Sequence, residues 1–207
     1  MNKRQLVIWA RLGFGALSIA AFLTQIAFLM QNDAFNPANF FSYFTNLSNM
    51  FGAFVLITSA IYLSTHRKPS ATDDLIRGAA TLYMTIVGIV YITLLSGEDL
   101  GLLIPSVNIV LHYLMPAVII IDWLYQPQRT KLAIKQIWPW LIFPAAYLVY
   151  LLIRGPIDNW YPYPFLNPDN VGGYGGVAVY CLGILALFIV AALVLMKLGN
   201  KLKRHIT

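Results

Sequence analysis

Six apolar runs, each long enough to cross a bilayer as a helix, leave this chain little choice of fold. They lie at about 5–30, 37–64, 74–96, 106–125, 136–153 and 172–197. A hydrocarbon core about 30 Å thick takes about 20 apolar residues at 1.5 Å each. Inside it every backbone N–H and C=O must find a partner, so runs of this length and composition form helices. Only 11% of the 207 residues are charged, against roughly 25% in soluble domains. The expectation is an all-α polytopic membrane protein: one membrane domain, 1–207, built as a six-transmembrane-helix bundle.

The charges collect in the gaps. Lys3 and Arg4 precede the first run. Arg67, Lys68 and Arg77 follow the second, Arg129, Lys131 and Lys135 follow the fourth, and Lys197, Lys201, Lys203 and Arg204 close the sixth. The opposite gaps hold Asp33, Glu98, Asp99, Asp158 and Asp169, with Arg154 as their one base. This alternation predicts both termini in the cytoplasm and an even number of spans. It also excludes a nucleic-acid surface, because the bases are spread over short loops beside apolar segments. The first run is too long for a signal-peptide core, so it is expected to stay as a span. Arg11 lies about one turn inside it and is expected to snorkel to the interface, or else to find a buried partner.

Helix signals agree with these bounds. Asn36-Pro37 suits a helix start, as do Asp73-Asp74 and Pro105-Ser106. Pro139 falls at the start of the fifth run, whereas Pro144 falls inside it and predicts a kink or a lost backbone bond. The single cysteine, Cys181, allows no intramolecular disulfide.

The second run opens on polar residues. Ser42, Thr45, Asn46 and Asn49 stand at i, i+3, i+4 and i+7, one face of a continuous helix. Such a face is expected to turn from lipid towards other helices or a cavity. In the fourth run Asn108, His112 and Asp122 share a face with Met115 and Ile119. His112 is the one histidine within a run, and an ionisable group there is a functional candidate by default. Counting from the outer ends, Thr45 is ~12 Å deep and His112 ~9 Å, while Asp122 lies ~15 Å further along its helix. Thr45 and His112 are thus expected to meet in one layer, with Asn108 rather than Asp122 supporting the histidine. A threonine hydroxyl needs a base to act as nucleophile, and Asn46 or Asn49 is expected to offer donors to an oxyanion. No Gly-x-Ser-x-Gly elbow, His-Glu-x-x-His helix, phosphate loop or His/Cys metal set occurs, so neither metal nor cofactor is expected.

One long loop, 154–171, is expected outside. Trp160, Tyr161, Tyr163 and Phe165 are interleaved with prolines and followed by Gly172, Gly173, Gly175 and Gly176. The pattern suits either an interfacial aromatic belt or a stiff lid on a flexible hinge.

Tyr43-Phe44-Thr45-Asn46-Leu47, Asn108-x-x-x-His112 with Pro116 and Asp122, and Trp160 with Tyr163-Pro164-Phe165-Leu166 together resemble the androgen-induced membrane hydrolases, over most of the chain. The resemblance implies a six-span bacterial branch. It also implies cleavage of fatty acid esters of hydroxy fatty acids, with Thr45 as nucleophile and His112 as its histidine. The resulting expectation is a threonine hydrolase of lipid metabolism, integral to the bacterial inner membrane, with membrane lipids and a lipid-like substrate as partners. The alternative is a non-catalytic carrier or lipid-binding protein using the same polar pocket. A carrier would be expected to show internal repeats and broken helices. The sequence shows no repeat, and Pro144 is its only sign of a break.

Overall fold

The computed structural model describes residues 2–203; Arg204 and His205 lie outside the described residues. No strand occurs among them, and six helices are long and apolar enough to cross a membrane. The first span is α1 (Lys3–Gln31). A short α2 (Pro37–Phe40) precedes α3 (Phe44–Ser64). The third span is α4 (Ala71–Val90), which runs into a π-helical turn (Tyr91–Leu95). The fourth joins α5 (Pro105–Ile109), a second π turn (Val110–Leu114) and α6 (Met115–Tyr125). The fifth and sixth are α7 (Trp138–Asp158) and α8 (Tyr174–Lys203).

The helix ends follow from local chemistry. Asn2 and Gln5 close a reciprocal capping box at the head of α1, and Ser70 and Asp73 do the same for α4. Each box satisfies backbone N–H groups that have no partner in the first turn. Asn36 caps α2, with Pro37 in its first turn. Pro144 does not break the fifth span, and α7 continues through both Pro144 and Pro156 as far as Asp158. The loop expected at 154–171 is correspondingly shorter, since residues 154–158 are helical.

The larger correction concerns the second run. It is not one helix from 37 to 64. The chain leaves the helix after Phe40 and re-enters at Phe44, with Ser42 in the break. Polar side chains stabilise this break by taking up the carbonyls it releases. Ser42 Oγ donates to the Ala38 carbonyl at 2.6 Å, and Asn46 Nδ2 donates to the Phe40 carbonyl at 2.8 Å. Serine and asparagine offer the backbone such alternatives to the helical ladder. Ser42 therefore does not share a helix face with Thr45, Asn46 and Asn49.

The described residues form two compact units, 2–131 with 199–203, and 132–198. In the first, α1 and α3 pack antiparallel. Arg4 bonds the Leu63 and Ser64 carbonyls at one end, and Phe22 meets Phe40 edge-on at the other. A side chain at Gly15 would come within 2.7 Å of Ile57, so glycine permits this approach. The middle helix is α4, in which every residue from Gly78 to Met84 is buried.

Arg11 does not snorkel. It is 4% exposed, and its guanidinium grips Asp122 with two bonds, of 2.6 and 3.1 Å. Arg77 bonds the same carboxylate at 3.0 Å, and Gln126 accepts from Arg11 at 3.0 Å. Spans one, three and four are thereby joined through one carboxylate. Next to them, Asp74 Oδ2 accepts from the Arg129 and Thr130 N–H groups and from the Thr130 hydroxyl, fixing the chain that leaves α6.

In the second unit, the segment after α7 folds back on its own helices. Trp160 lies against the Arg154 guanidinium, 4.9 Å from its ring centre. Tyr163 stacks on Phe165, which stacks on Tyr180 of α8. Tyr161 fills the space a side chain at Gly155 would need.

Candidate functional site

Two apolar clusters divide the first unit into levels. One contains Ala21, Phe22, Phe40, Val107 and Leu111. The other contains Leu56, Met84, Met115 and Ile119, with Phe14 packed against it. Three stretches of chain run from one cluster to the other, and each carries buried polar residues. Ser18 lies between Phe14 and Ala21 on α1. Ser48 and Asn49 lie between Phe40 and Leu56. His112 lies between Leu111 and Met115.

Asn49 ties two of these stretches together. Its Nδ2 donates to the Thr45 carbonyl at 2.9 Å and to the Leu111 carbonyl at 3.0 Å. The first turn of α3, which holds buried Thr45, is thus joined to the residue before His112. Both amide hydrogens of Asn49 are used in this way, leaving none for an oxyanion; the residue is a strut rather than a donor. Asn46 commits one hydrogen to the break.

His112 belongs to the π turn of span four and stacks on Tyr91 from the π turn of span three. Their ring centres are 4.1 Å apart and their planes 26° from parallel. A π turn inserts a residue into a helix, releases a backbone bond and re-aims the side chains around it; such turns recur at functional sites. Tyr91 Oη accepts from Asn108 Nδ2 at 2.7 Å, and Tyr113 meets Tyr91 edge-on. The His112 plane is therefore set by a neighbouring helix, while Asn108 supports it through Tyr91. Nδ1 is buried, and the group the ring interacts with is the backbone of Asn108, one turn back.

Ser18 Oγ, Ser48 Oγ, Asn49 Oδ1 and Asn108 Oδ1 are buried as well, and so, elsewhere in the molecule, are Asp74 Oδ1, Trp123 Nε1 and Gln128 Oε1.

The structure thus brings Thr45, Asn49, Asn108 and His112 onto adjoining elements. It assigns Ser42 and Asn46 to the helix break, and commits Asp122 to Arg11 and Arg77. Trp160, Tyr161, Tyr163 and Phe165 belong to the second unit and pack on α7 and α8. Among the described residues no group of His, Cys, Asp and Glu is placed to hold a metal. Sequence reasoning missed Tyr91, Ser18 and Ser48. The serines were visible as polar residues in apolar runs, whereas nothing in the sequence distinguishes Tyr91 from the other tyrosines. No protein family model, curated protein or solved structure matches the chain.

Proposed function

We propose that the protein is an intramembrane hydrolase that cleaves a lipid ester with Thr45 as nucleophile and His112 as base. The observation that carries this reading is His112, buried and stacked on Tyr91, on an element that Asn49 joins to the turn holding Thr45. A base awaiting a proton needs a free ring nitrogen in a fixed plane, and the Tyr91 stack supports such a plane.

In the first step Thr45 Oγ1 attacks the ester carbonyl carbon and its proton passes to His112. The tetrahedral oxyanion then collapses, and the leaving alkoxide takes that proton to depart as an alcohol. Water, deprotonated by His112, attacks the acyl-threonine. The fatty acid leaves and the proton returns to Thr45. The N-terminal turn of α3 supplies the positive end of a helix dipole beside the developing oxyanion, a role Asn49 is not free to take.

In this reading the protein is integral to the bacterial inner membrane with both termini in the cytoplasm, as the distribution of Lys and Arg favours. The test is labelling of the purified protein by a fluorophosphonate probe, alongside ester hydrolysis. Thr45→Ala and His112→Ala should each abolish both, and the double variant should be no worse than either single, because the pair acts as a unit. Thr45→Ser should retain activity. Labelling that survives Thr45→Ala would refute the assignment. The buried polar residues of spans two and four would then favour the second reading, a non-catalytic lipid-binding protein or carrier.

A further inference from the structure

The bases of the first unit collect at one end of it, and printed in its contacts is the way they come together. Arg4 donates to the Leu63 and Ser64 carbonyls and meets His66 Nε2 at 2.8 Å, which sets Lys3 near the stretch that carries Lys68. Asp74, in the first turn of α4, accepts from the Arg129 and Thr130 N–H groups, so the segment with Arg129 and Lys131 passes the head of that helix. Gln128 donates to Asn200 at 3.2 Å and fills the space a side chain at Gly199 would need. The end of α8, with Lys201 and Lys203, therefore joins the same rim. Among the described residues the opposite end of the unit holds Asp33, Glu98 and Asp99 and no base.

Part of this charge is committed inside the protein. Arg4 holds the end of α3, Arg11 and Arg77 hold Asp122, and Arg67 pairs with Asp73 and lies over the ring of Tyr62. The acids at this end are committed as well. Asp73 closes the Ser70 box, Asp74 holds the Arg129–Thr130 backbone, and Asp122 sits between its two arginines. Six cations are left over: Lys3, Lys68, Arg129, Lys131, Lys201 and Lys203. Among the described residues none of them forms an ion pair, and all are exposed except half-buried Lys203.

Their level picks out the partner. Trp9 stands six residues beyond Lys3 on α1, ~9 Å along the axis, and is 64% exposed. Tyr125 ends α6 four residues before Arg129 and is 55% exposed. Exposed Trp and Tyr next to a row of bases mark the depth of lipid headgroups, and long basic side chains reach out to that depth. Cations held there meet lipid phosphates, and an anionic lipid brings the counter-charge that the protein's own acids have committed elsewhere. We infer that this rim is a binding surface for anionic phospholipid headgroups, of the phosphatidylglycerol type, held by the six free cations. The surface is made by the ends of several spans, so a bound headgroup bridges them. It does not depend on what the buried polar residues of spans two and four do.

Relative lipid affinity tests this. The full-length protein in phosphatidylcholine nanodiscs receives a minor fraction of dibrominated phosphatidylglycerol or, separately, dibrominated phosphatidylcholine. Bromine quenches the tryptophans its chains touch, and the difference between the native protein and Trp9→Phe isolates the signal of this rim. At Trp9 phosphatidylglycerol should be favoured about fivefold or more, the factor that a single Lys or Arg near a lipid surface supplies. High salt should shrink that preference in the native protein. Lys3→Gln, Lys68→Gln, Lys131→Gln and Lys201→Gln combined should bring it below about twofold, whereas arginine at the same four positions should keep it. Equal quenching by the two lipids in the native protein overturns the inference, and so does a preference that survives high salt and the fourfold glutamine substitution. A soluble acidic partner would show as equal quenching together with retention of the detergent-purified protein on heparin, and that outcome also overturns the lipid assignment.

Discussion

Replacing Asp122 with asparagine should unfold the first unit far more readily than it alters its shape. The change keeps the volume and removes one negative charge. In the native protein that charge lies between two guanidiniums, with Arg11 at 2.6 Å and Arg77 at 3.0 Å. Arg11 is 4% exposed, so water cannot replace the lost counter-charge without opening the helix packing. Removing one partner of a buried pair costs about 3–5 kcal/mol, because the other charge stays behind uncompensated. Here two charges of like sign stay behind, which places the expected loss at the upper end. For a protein of this size that corresponds to a fall in Tm on the order of 10 °C. The assay is a thermal melt in detergent followed by intrinsic tryptophan fluorescence. Trp123, buried beside Asp122 in sequence, is a natural reporter. Raising salt to 0.5 M should leave the difference largely intact, since buried pairs are poorly screened. Arg11→Met combined with Asp122→Leu, which leaves only the Arg77 charge uncompensated, should be less harmful than Asp122→Leu alone, which leaves two. A melt of Asp122→Asn within about 1 °C of the native protein would refute the claim that this carboxylate holds the three spans together.

Three further outcomes follow from other parts of the molecule. Reporter fusions after Thr65 and after Gln126 should read cytoplasmic and one inserted between Asp158 and Asp169 external; a cytoplasmic reading for that last site would refute the orientation. Tyr91→Phe should keep most of the turnover of the proposed hydrolysis, because the stack on His112 survives, whereas Tyr91→Leu should lower kcat at least tenfold with little change in KM; equal effects of the two would argue against the stack as the positioning contact. Gly176→Ala should destabilise the second unit by about 1–3 kcal/mol in a thermal melt, since its Cβ would run into the Val171 carbonyl, while Gly175→Ala, with open space around it, should be neutral.

Much of the fold was legible because apolar length is a direct physical demand. The runs had to span, and the caps at Ser70 and Asn36 stand beside the signals that predicted them. What the sequence concealed were departures from regular helix. The break at 41–43 was hidden because Ser42, Asn46 and Asn49 fit a helical face so well on paper. Spacing records where a side chain would lie if the helix continued. It does not record whether that side chain ends the helix by capturing a backbone carbonyl, as Ser42 and Asn46 do. Arg11 shows the same difficulty for charge. An arginine one turn inside a span either snorkels or pairs, and the choice depends on Asp122, 111 residues away.

The site was legible to the extent that polarity is expensive in a membrane. Thr45, Asn49, Asn108 and His112 stood out because each needs a reason to be there. Their division of labour did not stand out, because it depends on individual hydrogens. Asn49 reads as an oxyanion donor until both its hydrogens are found on the carbonyls of Thr45 and Leu111. The setting of His112 was hidden for the same kind of reason. It depends on two π turns, one in span three and one in span four, which bring Tyr91 and His112 face to face at 4.1 Å, and a spacing rule that assumes regular helix cannot announce either turn.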